Sequence, residues 1–244
     1  MAQLFDPTTF SHLESLGVSL GSHCWEVGAG GDSVVKWLAE RAGATGLVVA
    51  TDIDTKLLNA INSPRFQVIQ HDVQTDDPPS GPFDLVHARL VLVHLNDPLR
   101  AINSMVSVLR PGGWILIEDA DPMLQPLACL DEGIQAGVLA NKIRDGFRTL
   151  LQDRGADLGF GRKLPGILRH VGMTDVAADA FFPVSMPGCN VVELTTMAML
   201  GDQLVACGHA TSGEISSHLA NISSGTMDLV QPPLISAWGK KPLI

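Results

Sequence analysis

The segment Glu26-Val27-Gly28-Ala29-Gly30-Gly31-Asp32 constrains this chain more than any other. It follows a short apolar run and opens a helical pattern, so its glycines let the backbone turn sharply between strand and helix and approach a ligand closely. From Cys24 onward, β-branched runs alternate with helical patterns, the signature of βαβ units and a parallel sheet. Strands are expected at residues 24–27, 46–51, 66–70, 83–88 and 114–118, with helices at 33–41, 55–61 and 98–109 between them. Arg110-Pro111-Gly112-Gly113 reads as the turn that stops the last of these helices, with a basic residue at its C-terminus.

Two carboxylates stand in register with the glycine turn. Asp52 in Thr51-Asp52-Ile53-Asp54 ends the second strand, 24 residues after Gly28, the spacing expected of a group that chelates a ribose diol. Asp72 in His71-Asp72-Val73 ends the third strand and is placed to accept from an adenine amino group. An adenosine would therefore lie along the carboxyl edge of the sheet.

Charge removes several alternatives. The 244 residues carry 16 Lys and Arg against 26 Asp and Glu, a formal net charge of -10, opposite to what phosphate backbones and anionic membranes attract. The cysteines Cys24, Cys129, Cys189 and Cys207 form no C-x-x-C pair and have no histidine at ligand spacing, so they read as buried thiols and no metal site is expected. Without a basic leader or an apolar run of about 18 residues, the expectation is a cytoplasmic protein that does not enter a membrane. Tyrosine is absent, so a general base must come from His, Asp, Glu or Cys.

With those residues in place, the chain resembles class I S-adenosylmethionine-dependent methyltransferases from about Phe5 to Ala120. EVGAGGDS, VVATDID, FQVIQHDV, FDLVHARLVLVHL and VLRPGGWILIED look like successive motifs of the branch related to quinone-biosynthesis and small-molecule methyltransferases, and FGRKLPGILRHVGMTDV and ISAWGKKP are similar to its late elements. The resemblance implies a Rossmann-like α/β fold with a seven-stranded sheet ordered 3-2-1-4-5-7-6, its last strand antiparallel, flanked by helices. It implies S-adenosylmethionine as cofactor and S-adenosylhomocysteine as product. Glu26, Gly28, Ala29 and Gly30 would face the methionine part, Asp52 the ribose, Ile53 and Val73 the adenine faces and Asp72 its amino group. Ala88 and Arg89 would lie beneath the sulfonium. Asp32 stands where the family's turn often carries another glycine, and is expected to cap the following helix.

The rest of the chain is read around that core. One methyltransferase domain is expected over 1–244: an N-terminal lid helix (1–22) capped by Asp6 with Pro7 at its first position, a cofactor-binding core (23–120), and a helical substrate cap with the last strands (121–244). In the cap, helical patterns cover 121–153, 164–171, 191–207 and 213–222, with strands at 175–182 and 234–238. The expected activity is methyl transfer to an oxygen, nitrogen, sulfur or carbon atom of a small apolar or aromatic metabolite in specialised metabolism. The rivals are a methyltransferase-like cofactor-binding protein without transfer and a protein methyltransferase. The partner expected is a small molecule, with neither nucleic acid nor membrane, and a homodimer is left open.

His94 in LVLVHLNDP is the candidate general base, against an anchoring role with Asn96 and Asp97 at the next helix start. Asp121 is the second candidate catalytic group, from the cluster Glu118, Asp119 and Asp121. Arg89 would pair with Glu26 or Asp119, or orient an acidic acceptor. His170, His209 and His218 are read as surface or helix-end residues, and Arg162 and Lys163 as solvating a helix start. Met186, Met197 and Met199 are read as cap packing or the wall of an apolar pocket.

Overall fold

The computed structural model describes residues 2–60 and 63–243. The apolar runs become seven strands: β1 (His23–Val27), β2 (Leu47–Asp52), β3 (Gln67–Gln70), β4 (Phe83–Arg89), β5 (Leu109–Ala120), β6 (Thr174–Phe181) and β7 (Leu234–Lys240). They form one sheet in the order 3-2-1-4-5-7-6, as the resemblance implied. Strands β1 to β5 pair in parallel and β7 runs antiparallel to β5 and β6. Strand order reverses beside β1, so the carboxyl ends of β1 and β4 border the crevice where such sheets receive ligands.

The helices are α1 (Ala2–Ser15), α2 (Ser33–Ala42), α3 (Lys56–Asn59), α4 (Pro98–Ser107), α5 (Gln135–Asp153), α6 (Leu164–His170), α7 (Pro187–Ala206) and α8 (Ser212–Ser224). Alternation along the strands sorts side chains between two faces. Trp25, Val27, Val86, Ala88, Ile115 and Ile117 pack with Met105 of α4 and Leu164 and Leu168 of α6. The intervening Cys24, Leu85 and Leu116 pack with Leu13 of α1 and with Val35 and Leu38 of α2. The cap is a double insertion, α5 between β5 and β6 and the α7–α8 pair between β6 and β7, joined by Ile143, Leu150, Met197 and Leu204.

Several local expectations change. Helix α1 runs through Pro7 and does not begin there, because burial of Leu4, Phe5 and Leu13 outweighs the one backbone donor that proline lacks. Asp6 therefore caps nothing and its carboxylate is spent on Arg89. Asp32 occupies the cap position of α2, yet its side chain pairs with Lys36 and makes no cap hydrogen bond. Helix α4 stops at Ser107, and the cation on its last carbonyls is Lys241, whose Nζ donates to Val106 O, Ser107 O and Leu109 O at 2.9, 3.1 and 2.7 Å. Arg110 turns to Asp84 instead, and residues 110–113 form an irregular stretch of β5 between the pairs Phe83–Leu109 and Leu85–Trp114. Gly113 fits there because a Cβ would crowd Phe83 O at 3.0 Å and Asp84 O at 3.1 Å. The expected helix at 55–61 is observed over Lys56–Asn59, and residue 61 lies outside the described residues. The helix expected across 121–153 forms only from Gln135, after a short 3-10 turn at Pro122–Leu124 and a loop. Cys24, Cys129 and Cys189 are buried, but Cys207 is exposed.

Met105 is fully buried where α4 meets the sheet. Met105→Ala is expected to lower unfolding free energy by about 2 to 5 kcal/mol, the range for truncating a large core side chain. Urea denaturation with an unchanged m-value would show it, and a loss below about 1 kcal/mol would contradict this packing.

Candidate functional site

The turn after β1 is built on two glycines in the left-handed region, Gly28 (φ 61°) and Gly30 (φ 60°). A Cβ on Gly28 would collide with Val91, so the loop after β4 lies directly against this turn. On the other side the turn is open: a Cβ on Gly31 would meet nothing within 4 Å. Ala29 N–H donates to Thr51 O at 3.0 Å, fastening the turn to β2. The Asp52 carboxylate, at the end of β2, accepts from Gly30 N–H at 2.8 Å and Asp54 N–H at 2.9 Å. Next to it Ile53 is 69% exposed, an apolar surface beside an oriented carboxylate. After β3, Asp72 accepts from Gln74 N–H at 2.8 Å, Val73 is buried behind it, and Ala88 is buried at the end of β4. Open glycine backbone, a carboxylate and an exposed aliphatic face fit an adenosine cofactor in residue type and order.

A buried polar array stands behind the turn. The alternation that sends Cys24 and Leu85 toward α1 and α2 sends Glu26, His87, Glu118 and Ser236 to the same face. His87 Nδ1 donates to Glu26 Oε2 at 2.6 Å and Nε2 to Glu118 Oε2 at 3.2 Å. Only an imidazolium donates from both nitrogens. Burial opposes that charge, but the attraction of Glu26 and the hydrogen bonds to Glu118 and Glu26 prevail and raise His87 to about 9. Glu118 also receives Thr9 Oγ1 at 2.5 Å and Ser236 Oγ at 2.7 Å, with His12 Nδ1 at 3.4 Å. Burial pushes the Glu118 carboxyl up, yet its histidine and threonine partners hold it well below the ordinary carboxylate range. His12 Nε2 reaches Asp179 at 2.9 Å, and the hydrogen bond to Glu118, then Asp179, raises its pKa to about 8 against burial.

Arg89 does not pair with Glu26 or Asp119. It reaches Asp6 at 2.8 Å and Thr9 Oγ1 at 2.9 Å, so α1 is clamped over the ends of β4 and β5 by Asp6, Thr9 and His12. Asp6 also receives Ser33 Oγ at 3.4 Å, from the start of α2 after the glycine turn. Leu90 follows at φ 56°, a left-handed conformation that costs a non-glycine residue about 1 to 2 kcal/mol, with its N–H held by Glu118 O at 2.8 Å.

The other carboxylates of β5 have structural partners. Asp119 accepts from Leu92 and Val93 N–H at 3.1 and 3.2 Å, while burial pushes its carboxyl up to about 7 despite those bonds. Asp121, expected as a catalytic group, is buried and gripped by Arg162 Nε at 2.6 Å and Nη2 at 2.5 Å. Both carboxylate oxygens are thus committed to Arg162, and this ion pair also corrects the solvating role expected for Arg162. His218 is likewise not at the surface but fully buried, 3.1 Å from Glu193.

Beneath the cap, an apolar cavity of about 360 Å³ opens at the ends of β4 and β5. Leu90, Val93, Ala120, Phe147 and Leu200 line it, together with His94, Arg144 and Gln231. His94 lies in the short 3-10 turn Leu92–His94; its N–H donates to Val91 O at 3.1 Å, and its imidazole has no hydrogen-bond partner among the described residues. The anchoring task considered for it falls to its neighbours: Asp97 caps α4 through Arg100 N–H at 2.9 Å, and Asn96 N–H donates to Gln74 Oε1 at 2.8 Å. Met199 reaches this wall, whereas Met197 packs in the cap core. A cavity of about 460 Å³ beside Asp84 and Arg110 lies at the opposite, amino end of β1 and β4. Sequence reasoning missed His12, His87, Arg144 and Gln231; only His87 carried a signal, an ionisable residue inside an apolar strand. Among the described residues no cluster of metal-ligating side chains occurs and no helix is long and apolar enough to cross a membrane.

The methyltransferase-domain family matches residues 25–117. Over 93 residues the chain is 34% identical to the methyltransferase str3 of Strobilurus tenacellus, covering 37% of this chain and 31% of that protein. Over 125 residues it is 26% identical to a ubiquinone/menaquinone biosynthesis C-methyltransferase of an Enterobacter species, covering 48% of this chain and 50% of that one. The chain thus spans between 31% and 50% of the length of these relatives. The fold is shared with phosphoethanolamine N-methyltransferase 2 of Haemonchus contortus in complex with S-adenosyl-L-methionine, at a TM-score of 0.60 and 16% identity over 97% of this chain and 52% of that chain.

The histidine array sets a pH dependence. His12 and His87 have folded pKa values of about 8 and about 9, above the ordinary 6.5, so their stabilisation is complete below pH 6.5 and is lost as pH rises through those values. His12→Gln keeps a donor but cannot titrate. The stability difference between wild type and variant is expected to shrink by about 1 to 2 kcal/mol between pH 6.5 and 8.5, followed by denaturant titration. A difference independent of pH would contradict the ion pairing of His12.

Proposed function

We propose that the chain is a class I S-adenosylmethionine-dependent methyltransferase, as its match to the methyltransferase-domain family and to methyltransferase relatives supports, and that it transfers a methyl group to an oxygen, nitrogen, sulfur or carbon nucleophile of a small apolar molecule held beneath the cap. The observation that carries this reading is the adjacency of the two compartments. Leu90 and Val93 line the apolar cavity, and Val91 between them rests on Gly28 of the glycine turn.

The backbone of Glu26, Gly28, Ala29 and Gly30 would hold the methionine part of the cofactor, Asp52 its ribose, Ile53 and Val73 the adenine faces and Asp72 the amino group. Ala88 and the clamped Arg89 would close the floor below the sulfonium. When bound, the cofactor supplies an electrophilic methyl carbon. The protein contributes alignment and exclusion of water: α1 is bolted over the strand ends by Asp6 and Thr9, and Phe5 of the same helix forms part of the cavity wall. His94 faces the cavity with its ring nitrogens uncommitted and is the group that would take the acceptor's proton. Asp121 is given no such role, since Arg162 holds it.

Calorimetric titration should give micromolar binding of both S-adenosylmethionine and S-adenosylhomocysteine, and no binding of either would overturn the reading. Asp52→Ala is expected to weaken both by about 1 to 3 kcal/mol, the scale for a lost buried polar partner; an unchanged dissociation constant would refute the ribose assignment. His94→Ala should lower turnover roughly 10²-fold or more while leaving cofactor affinity intact, the contribution typical of a general base. Wild-type turnover across pH in that variant would remove His94 from the chemistry. Cofactor binding with no methylated product from any acceptor would leave a binding protein.

A further inference from the structure

Besides His94, and Thr196, whose hydroxyl donates to Val192 O at 2.9 Å, the cavity wall contains two polar side chains that are almost wholly buried, Arg144 of α5 and Gln231 in the segment before β7. The orientation of the Gln231 amide follows from its neighbours. Its Nε2 lies 3.2 Å from Cys189 O and 3.2 Å from Glu193 Oε2, two atoms that only accept, so both amide hydrogens are used. Its Oε1 has no hydrogen-bond partner among the described residues. Arg144 donates from Nη2 to Glu193 and from Nη1 to Gln125 Oε1 at 3.4 Å, which leaves further N–H donors of its five on the fork. Glu193 is compensated within the cap. Burial pushes its carboxyl up, but Arg144, His218 and Gln231 prevail and lower it to about 2.

The wall therefore presents unused donors of a charge-paired guanidinium beside an unused amide oxygen, in a largely apolar space. A carboxylate there would face Glu193 and the Gln231 oxygen, both repulsive to it. An ether or ketone would accept from Arg144 and leave Oε1 unpaired. A hydroxyl accepts and donates through one atom. We propose that the methyl acceptor is an apolar molecule carrying a neutral hydroxyl that accepts from Arg144 and donates to Gln231 Oε1. The inference rests on the cavity being the acceptor compartment of the methyltransferase proposed above.

The test uses four bicyclic probes titrated by calorimetry into the whole protein with and without S-adenosylhomocysteine: 2-naphthol, 2-methoxynaphthalene, 2-methylnaphthalene and 2-naphthoate. The expected result is 2-naphthol binding about tenfold or more tighter than the other three, the discrimination of a site whose polar groups are left unpaired by the wrong ligand. In Gln231→Met, which keeps the length of the side chain, 2-naphthol should fall to the affinity of 2-methoxynaphthalene while circular dichroism and S-adenosylhomocysteine binding stay unchanged. Arg144→Lys should weaken 2-naphthol and 2-methoxynaphthalene together. Equal affinity for all four, preference for 2-naphthoate, an intact preference in Gln231→Met, or no binding of any probe would each overturn the inference. If Gln231→Met fails to fold, the wild-type ranking alone decides. Failure of the ranking with S-adenosylhomocysteine bound would sink this inference and leave methyl transfer standing. The ranking without any S-adenosylhomocysteine binding would leave a hydroxyl-selective cavity and overturn both methyl transfer and the assignment of that hydroxyl to a methyl acceptor.

Discussion

One imidazole, that of His87, holds two carboxylates from different strands, Glu26 of β1 and Glu118 of β5, at 2.6 and 3.2 Å in a place without solvent. Two uncompensated carboxylates on the strands either side of β4 would repel each other strongly at low dielectric. Glu26 immediately precedes the glycine turn's approach and Glu118 immediately precedes Asp119 and Asp121, so this one contact sets the spacing between the turn and the end of β5. Glu118 then extends the array to Thr9 and His12, and through them α1 is fixed. Replacement of His87 by an apolar residue would leave two buried charges unpaired, a change that breaks a pair and is far more costly than removing it entirely.

The same array explains why α1 tolerates an internal proline and an uncapped Asp6. The helix is held by side chains that reach into the sheet, Asp6 to Arg89, Thr9 to Glu118 and Arg89, and His12 to Glu118 and Asp179, together with the stacked pair Phe10–Trp37 at 5.2 Å. Because Phe5 on this helix also lines the apolar cavity while Asp6 reaches Ser33 just after the glycine turn, one element borders both. Any opening that admits a ligand past α1 must break charge-assisted hydrogen bonds, which gives the compartments a shared barrier to water.

The cap is organised in a parallel way around Glu193, which binds Arg144, His218 and Gln231. Glu118 and Glu193 each gather donors from three separate elements. In the core these partners come from strands and α1; in the cap they come from α5, α8 and the segment before β7. Such networks stabilise most when complete, and among the described residues the cap array leaves two positions open, the buried His218 Nδ1 and, on the cavity side, Gln231 Oε1.

How much of this was legible from residues alone follows from sequence distance. The glycine turn, the places of Asp52 at the end of β2 and Asp72 just after β3, and the strand order came through because each is a short pattern whose meaning depends on neighbours a few residues away or on a series of motifs in fixed order. Capping by Asp6 and Asp32 failed because competing partners, Arg89 at 83 positions and Lys36 one turn on, won the carboxylates. Asp121 appeared as a free acid because nothing local announces Arg162, which is 41 residues away. His218 appeared exposed because its partner Glu193 sits on another helix. The sequence by itself determined which backbone must turn, which strands must be buried on both faces, and which carboxylates end them, since those follow from periodicity and glycine stereochemistry. Tertiary structure alone decided which charges are spent on one another and which remain available to a ligand, because pairing depends on side chains brought within 3 Å from distant parts of the chain.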